Sequence, residues 1–136
     1  MGKRRIARET ALQALYLCDI SKFSSQEALD AVLRGVEGLD DQAIDFSREI
    51  VDGTSQNIID LDSAIQTTAK NWELARMAAV DRSILRLATY EVTRHPETPI
   101  GVILDEAIEI AKKFSDKDSP RFINGILDKI KTLRPS

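Results

Sequence analysis

The residues best suited to chemistry lie toward the two ends of the chain. Lys3, Arg4, Arg5 and Arg8 place four of the 19 basic residues within the first eight positions, with no acid among them. Guanidinium and ammonium groups in a row are phosphate ligands. The rest of the chain is acidic enough to bring the net charge to −3. A basic tip on an acidic body is the charge distribution of a protein that meets a polyanion at one place and repels it elsewhere. The alternative is a solvated tail. At about 100° per residue, Ala7, Ala11, Ala14, Leu15 and Cys18 share one side of a first helix. Arg5, Glu9, Leu12, Tyr16 and Ile20 share the other. A helix apolar on both sides is either central in its bundle or offers its second face to a partner; Arg5 and Glu9 on that face favour a partner. Tyr16 falls in line with Arg5, about three turns on. Cations leading to an aromatic ring suit single-stranded RNA, whose unpaired bases stack on rings. A tyrosine buried with its hydroxyl satisfied is the competing reading.

Asp118 to Asp128 forms the second such stretch. Ser119-Pro120 is a helix start, with Ser capping free N–H groups and Pro at the first helical position. Asn124-Gly125 follows inside the helix, where Gly costs about 1 kcal/mol against Ala. That expense points to close approach of another backbone or of a ligand. Ile123, Ile126, Leu127 and Ile130 make the inward stripe. Phe122 lies at its edge, flanked by Gly125 and Lys129, placed either to reach a ligand or to close the rim of the core. This edge, preceded by Asp118, is expected beside the basic first helix as part of one surface.

Catalytic constellations are not found. His95 is the only histidine, and its place at a helix end before Pro96 reads as a contact with the helix dipole. The single cysteine, Cys18, falls on the inward stripe and excludes an internal disulfide. Asp40-Asp41, Asp60 and Asp62 read as caps and solvated charges. The dispersed glycines make no phosphate loop, and no metal-ligand spacing occurs. The expectation is a non-enzyme without cofactor or metal. No apolar run nears the ~20 residues of a membrane span, and the cytoplasm is the expected compartment.

The elements that must position these residues are all helical, since no run alternates like a strand. Seven helices are expected at 4–21, 25–36, 41–56, 57–69, 77–94, 99–114 and 120–132. Ser25 should cap the second, Asp40 or Asp41 the third, and Thr98-Pro99 should start the sixth. Gly35 and Gly38 bracket the second connection, and Gly53 marks a bend or close contact. In the sixth helix Ile100, Ile103, Leu104, Ala107, Ile108 and Ala111 face inward. Asp105, Glu106, Glu109, Lys112 and Lys113 face water, with Glu109 and Lys113 at a favourable i,i+4 spacing. Short connections imply one compact all-α domain over residues 1–136, built as two sub-bundles.

Three stretches together resemble one family. Lys3-Arg4-Arg5-Ile6-Ala7-Arg8-Glu9, running on to Ala11-Leu12-Gln13-Ala14-Leu15-Tyr16, looks like the opening of the bacterial antitermination factors of the NusB family. Val80-Asp81-Arg82-Ser83-Ile84-Leu85-Arg86-Leu87-Ala88-Thr89-Tyr90-Glu91 is similar to that family's central helix. Asp105 to Lys113 and Asp118 to Asp128 resemble its end. The resemblance covers essentially the whole chain, least well from Ser21 to Gln42. It implies an all-helical protein that binds the boxA element of nascent ribosomal RNA together with the small ribosomal protein NusE. That pair joins RNA polymerase and other Nus factors, and supports ribosomal RNA transcription and maturation. Carried onto this chain, Lys3, Arg4, Arg5 and Arg8 would contact RNA phosphates, and Tyr16 and Phe122 would lie at the RNA and partner surface. Asp118 would sit beside that surface and Asp81 on the side facing NusE. Family members often carry Glu at the position of Asp81 and Gly at that of Ser115, and Ile6 interrupts a basic run that is sometimes continuous. Some members self-associate through the NusE surface, which leaves monomer and homodimer both open. One alternative is a module like the N-terminal part of a ribosomal RNA cytosine methyltransferase, though the chain ends without room for a cofactor-binding α/β domain. Another is a protein-binding adaptor without RNA contact.

Overall fold

The computed structural model describes residues 2–135 and is all-helical over that span. Its α-helices are α1 (Lys3–Ile20), α2 (Ser25–Leu33), α3 (Asp41–Gln56), α4 (Ile58–Thr68), α5 (Ala79–Arg94), α6 (Ile100–Phe114) and α7 (Ser119–Ile130). Short 3-10 turns at Leu74–Arg76 and Lys131–Leu133 precede α5 and follow α7. The seven expected helices are therefore present, with ends shifted by up to three residues.

The shifts have local causes. Helix α2 is capped by Ser24, not Ser25: the Ser24 hydroxyl accepts from Glu27 N–H and the Glu27 carboxylate accepts from Ser24 N–H, a reciprocal capping box. Asp40 caps α3, accepting from Ala43 N–H at 2.9 Å. Pro99 stands at the N-cap of α6 with extended backbone, and no side chain caps that helix. Ser119 does not cap α7. Asp118 holds the N-cap position and Ser119 is already helical, so its hydroxyl is released for another partner. Gly38, at φ +82°, takes the left-handed conformation that turns the chain into α3.

Helices α1 to α3 form one bundle and α4 to α7 another, joined where α5 packs on α1 and α3. Ile84, Leu85, Leu87, Ala88 and Val92 of α5 are buried, and one connected set of buried side chains runs through both bundles. Polar registers fix the helix directions. Arg8 pairs with Glu91 and Asp19 with Arg82, so α1 runs antiparallel to α5. Arg5 pairs with Glu106 and Glu9 with Lys113, so α1 runs parallel to α6. Ser119 meets Asp81 at one end of α5 and Arg134 meets the Val92 carbonyl at the other, so α7 runs parallel to α5.

Two core expectations are corrected. In α6 the buried positions are Ile103, Ala107, Ile110 and Ala111, with Ile108 only half-buried. Helix α1 is central in its bundle for most of its length: Leu12 and Glu9, on the face assigned to a partner, are buried. That face stays open only toward the two ends, at Arg5, a third exposed, and from half-buried Tyr16 to exposed Ile20.

Gly53 meets the close contact expected of it. A Cβ there would lie 2.1 Å from the ring and hydroxyl of Tyr90, so the glycine lets α3 and α5 approach.

Candidate nucleic-acid interface

The basic arm occupies the first turns of α1, level with the end of α5. Each of its cations has an intramolecular partner. Lys3 Nζ lies 2.5 Å from Asp40 Oδ2, with the Lys3 side chain largely in solvent and that of Asp40 partly so. Such exposed pairs are worth roughly 0–1 kcal/mol and are easily exchanged for a phosphate. The Arg4 guanidinium lies 4.4 Å from the centre of the Phe46 ring and remains exposed. Arg5 Nε donates to Glu106 Oε2 at 2.7 Å while staying a third exposed.

Arg8 departs from the expectation for the arm. Its guanidinium is bidentate to Glu91, Nε to Oε1 at 2.7 Å and Nη2 to Oε2 at 2.8 Å, and its side chain is 3% exposed. Three residues on from Arg5, it rotates to the α1–α5 interface, where it serves packing and not phosphate binding. Glu106, assigned to water, is instead shared by Arg5 and Arg8. The i,i+4 pair of Glu109 with Lys113 is replaced by Lys112–Glu109 and Lys113–Glu9.

Tyr16 is half-buried in an apolar groove with Leu12, Leu17, Val32, Val80 and Phe114. Asp81, expected on a partner-facing side, is 7% exposed. Ser115 Oγ donates to its Oδ1 at 2.5 Å and Ser119 Oγ to its Oδ2 at 3.0 Å. The carboxylate thus ties the start of α5 to the connection between α6 and α7. Asp118 is exposed at the head of α7.

Phe122 is half-buried, as its edge position requires, but its neighbour is not the basic arm. It packs edge-on against Trp72, with ring centroids 5.3 Å apart. Trp72 belongs to the connection between α4 and α5. Because α1 and α5 are antiparallel while α5 and α7 are parallel, Phe122 lies toward the opposite end of the molecule from Arg5. Asp81 and Glu91 mark the two levels, about 15 Å apart along α5. The single surface expected from the sequence is therefore two sites.

The Trp72–Phe122 pair forms a ridge between two clefts. On one side every charged lining residue, Lys70, Arg121 and Lys129, is basic. On the other Glu73, Asp81, Asp116 and Asp118 outnumber Arg76. Gly125 lines the basic cleft, and a Cβ there would meet nothing within 4 Å. The glycine therefore faces open space and not a neighbouring backbone. Trp72 was missed by the sequence reasoning. Its signal was present: it is the only tryptophan of an aromatic-poor chain, directly after Lys70-Asn71.

The side chains considered above for chemistry are engaged elsewhere. Burial pushes the Cys18 thiol up, away from a reactive thiolate. His95 is held between Glu97 and Glu49, at 2.6 and 2.8 Å. Asp62 is bidentate to Arg86 and is no solvated charge. No cluster of metal-ligating side chains occurs among the described residues. Among the described residues no helix is long and apolar enough to cross a membrane.

Fold and surface together define an all-α helical module with a basic patch at one helix end and an aromatic ridge on a connection. Residues 5–132 match the NusB family model, and the chain belongs to the NusB family. It is 48% identical over 135 residues to the transcription antitermination protein NusB of Elusimicrobium minutum, covering 98% of this chain and 96% of that one. The NusB structure of T. maritima superposes with a TM-score of 0.90 at 35% identity, covering 98% and 93% of the two chains. A structure of antitermination factors NusB and NusE in complex with dsRNA superposes with a TM-score of 0.88 at 26% identity, covering 96% of each. The family is one of antitermination factors and not of enzymes. Ser115 and Asp81, the two positions singled out from the resemblance above, meet in space, with Ser115 Oγ donating to Asp81 Oδ1.

Proposed function

We propose that this protein is a transcription antitermination factor that binds the boxA element of nascent ribosomal RNA jointly with NusE. Through that pair it joins RNA polymerase and the other Nus factors. The observation that carries the reading is the full-length match to a NusB found with NusE and double-stranded RNA. The surface is compatible with it. Lys3, Arg4 and Arg5 offer exchangeable cations to phosphates, while Arg8 holds the helix that presents them. Tyr16 and Phe122 supply aromatic contacts, and Asp118 with the acidic cleft beside Phe122 supplies negative surface for a basic partner. Asp81 acts on that cleft by fixing its walls.

Fluorescence anisotropy with a boxA RNA, with and without NusE, tests the proposal. Tight binding is expected only with NusE. Arg4→Glu and Lys3→Glu should each weaken it and lower its salt dependence. Equal affinity with and without NusE would overturn joint recognition, and no binding in either case would overturn RNA recognition.

A further inference from the structure

Trp72 is 58% exposed, yet the chain holds it firmly. Its carbonyl accepts from Gln66 Nε2 at 2.8 Å and its N–H donates to the Ala69 carbonyl at 3.0 Å. Gln66 Oε1 also accepts from Leu74 N–H. From the far side, Arg82 Nη1 donates to the Leu74 and Met77 carbonyls, both at 3.0 Å, while its Nη2 is anchored on Asp19 at 2.6 Å. Two side chains from two helices thus clamp the connection that carries the ring. A tryptophan in such a scaffold ordinarily buries its large apolar surface. This one keeps more than half of it in water.

One side of the ring is backed edge-on by Phe122, and the remaining surface is shared between the acidic cleft and the basic cleft of about 650 Å³ between α4 and α7. Lys70, Arg121 and Lys129 rim it, and none forms an ion pair with another described residue. In a chain of net charge −3, three cations held in no ion pair and lining one cleft, with no carboxylate in its lining, beside an exposed ring favour an anionic ligand that also has a flat face. Gly125 keeps the cleft free of a side chain at the expense of helix stability.

We propose that this cleft takes one unpaired base of single-stranded RNA together with its adjoining phosphates. The base stacks on Trp72 and the phosphates meet Lys70, Arg121 and Lys129. The inference rests on the RNA-binding reading above but adds a site remote from the basic arm. The RNA then spans the length of α5 between the two cationic groups.

Trp72 is the only tryptophan of the chain and reports on its own site. The full chain with NusE is titrated with unlabelled boxA RNA while tryptophan emission is followed, with the Trp72→Phe complex as blank. A dye-labelled copy of the RNA gives affinity by anisotropy. The expected result is quenching of Trp72 on RNA addition, and a roughly tenfold loss of affinity for Trp72→Ala that Trp72→Phe largely restores. Lys70→Ala and Lys129→Ala should each lower the salt slope by about one. Normal RNA affinity of Trp72→Ala with no quenching in the wild type would overturn this site and leave the RNA reading intact. No RNA binding by the wild type would overturn both. Quenching complete on NusE addition alone, unchanged by RNA, would assign the cleft to protein and overturn the proposal. Circular dichroism melts of Trp72→Ala near wild type are expected because the ring is largely outside the core; a collapsed transition would assign Trp72 to the fold and overturn its role as a platform.

Discussion

Arg8 of α1 and Glu91 of α5 form a bidentate ion pair between two helices, with side chains 3% and 1% exposed. It is the deepest charge contact across the two bundles, and Arg134 closes the same region by donating to the Val92 and Thr98 carbonyls.

Removing one partner of a buried pair strands the other charge without water. Arg8→Ala is therefore expected to cost about 3–5 kcal/mol of stability. Replacing the pair by Arg8→Met with Glu91→Leu should recover most of that loss, because the apolar couple leaves no buried charge. Urea unfolding of the three proteins checks this. An Arg8→Ala variant as stable as wild type would show that the pair does not hold α1 against α5.

Gly53 sits where a Cβ would lie 2.1 Å from the Tyr90 ring. The Tyr90 hydroxyl is not free to yield, since it donates to Glu49 Oε1 at 2.5 Å. Gly53→Ala gains helix propensity in α3 but must displace the ring. The overpacking term of roughly 1–3 kcal/mol exceeds the gain of about 1 kcal/mol. The expected outcome is a lower melting temperature, recovered in part by combining it with Tyr90→Leu. Thermal denaturation of both variants gives the answer, and a melting temperature raised by Gly53→Ala alone would refute the close contact.

His95 supplies a pH dependence. Burial opposes its charge, but hydrogen bonds to Glu97 and Glu49 outweigh burial and raise the pKa above its ordinary 6.5. A raised folded-state pKa means the pairing contributes in full below about 6.5 and is lost as pH rises through the folded value. Stability should thus decline as pH rises from about 6.5 through the raised folded-state value, and His95→Gln should remove that component of the decline. Urea midpoints across the range measure it; identical slopes for both proteins would show that folding does not raise the His95 pKa.

Much of this molecule was legible before folding was considered. The 3.6-residue spacing of Ile123, Ile126, Leu127 and Ile130 predicted the buried stripe of α7, and all four are buried. The same periodicity placed Phe122 at an edge. Composition excluded a disulfide, and the run of Lys3, Arg4 and Arg5 identified the basic end. These properties are local: side-chain angle about one helix axis, charge along one segment, the capping chemistry of a few residues.

What tertiary structure decided is everything that depends on a second element. Periodicity put Arg8 three residues from Arg5 but said nothing of Glu91, eighty-three positions away, which turns it from a phosphate ligand into a core cation. Ser119 looked like a cap, and became a donor to Asp81 only because α5 and α7 start at the same level. Phe122 was expected beside the arm. The antiparallel course of α1 against α5 carries the arm away from it, and the α4–α5 connection brings Trp72 in its place. Helix direction and neighbour choice arise from closing the whole core at once, so no window of sequence shorter than the chain contains them.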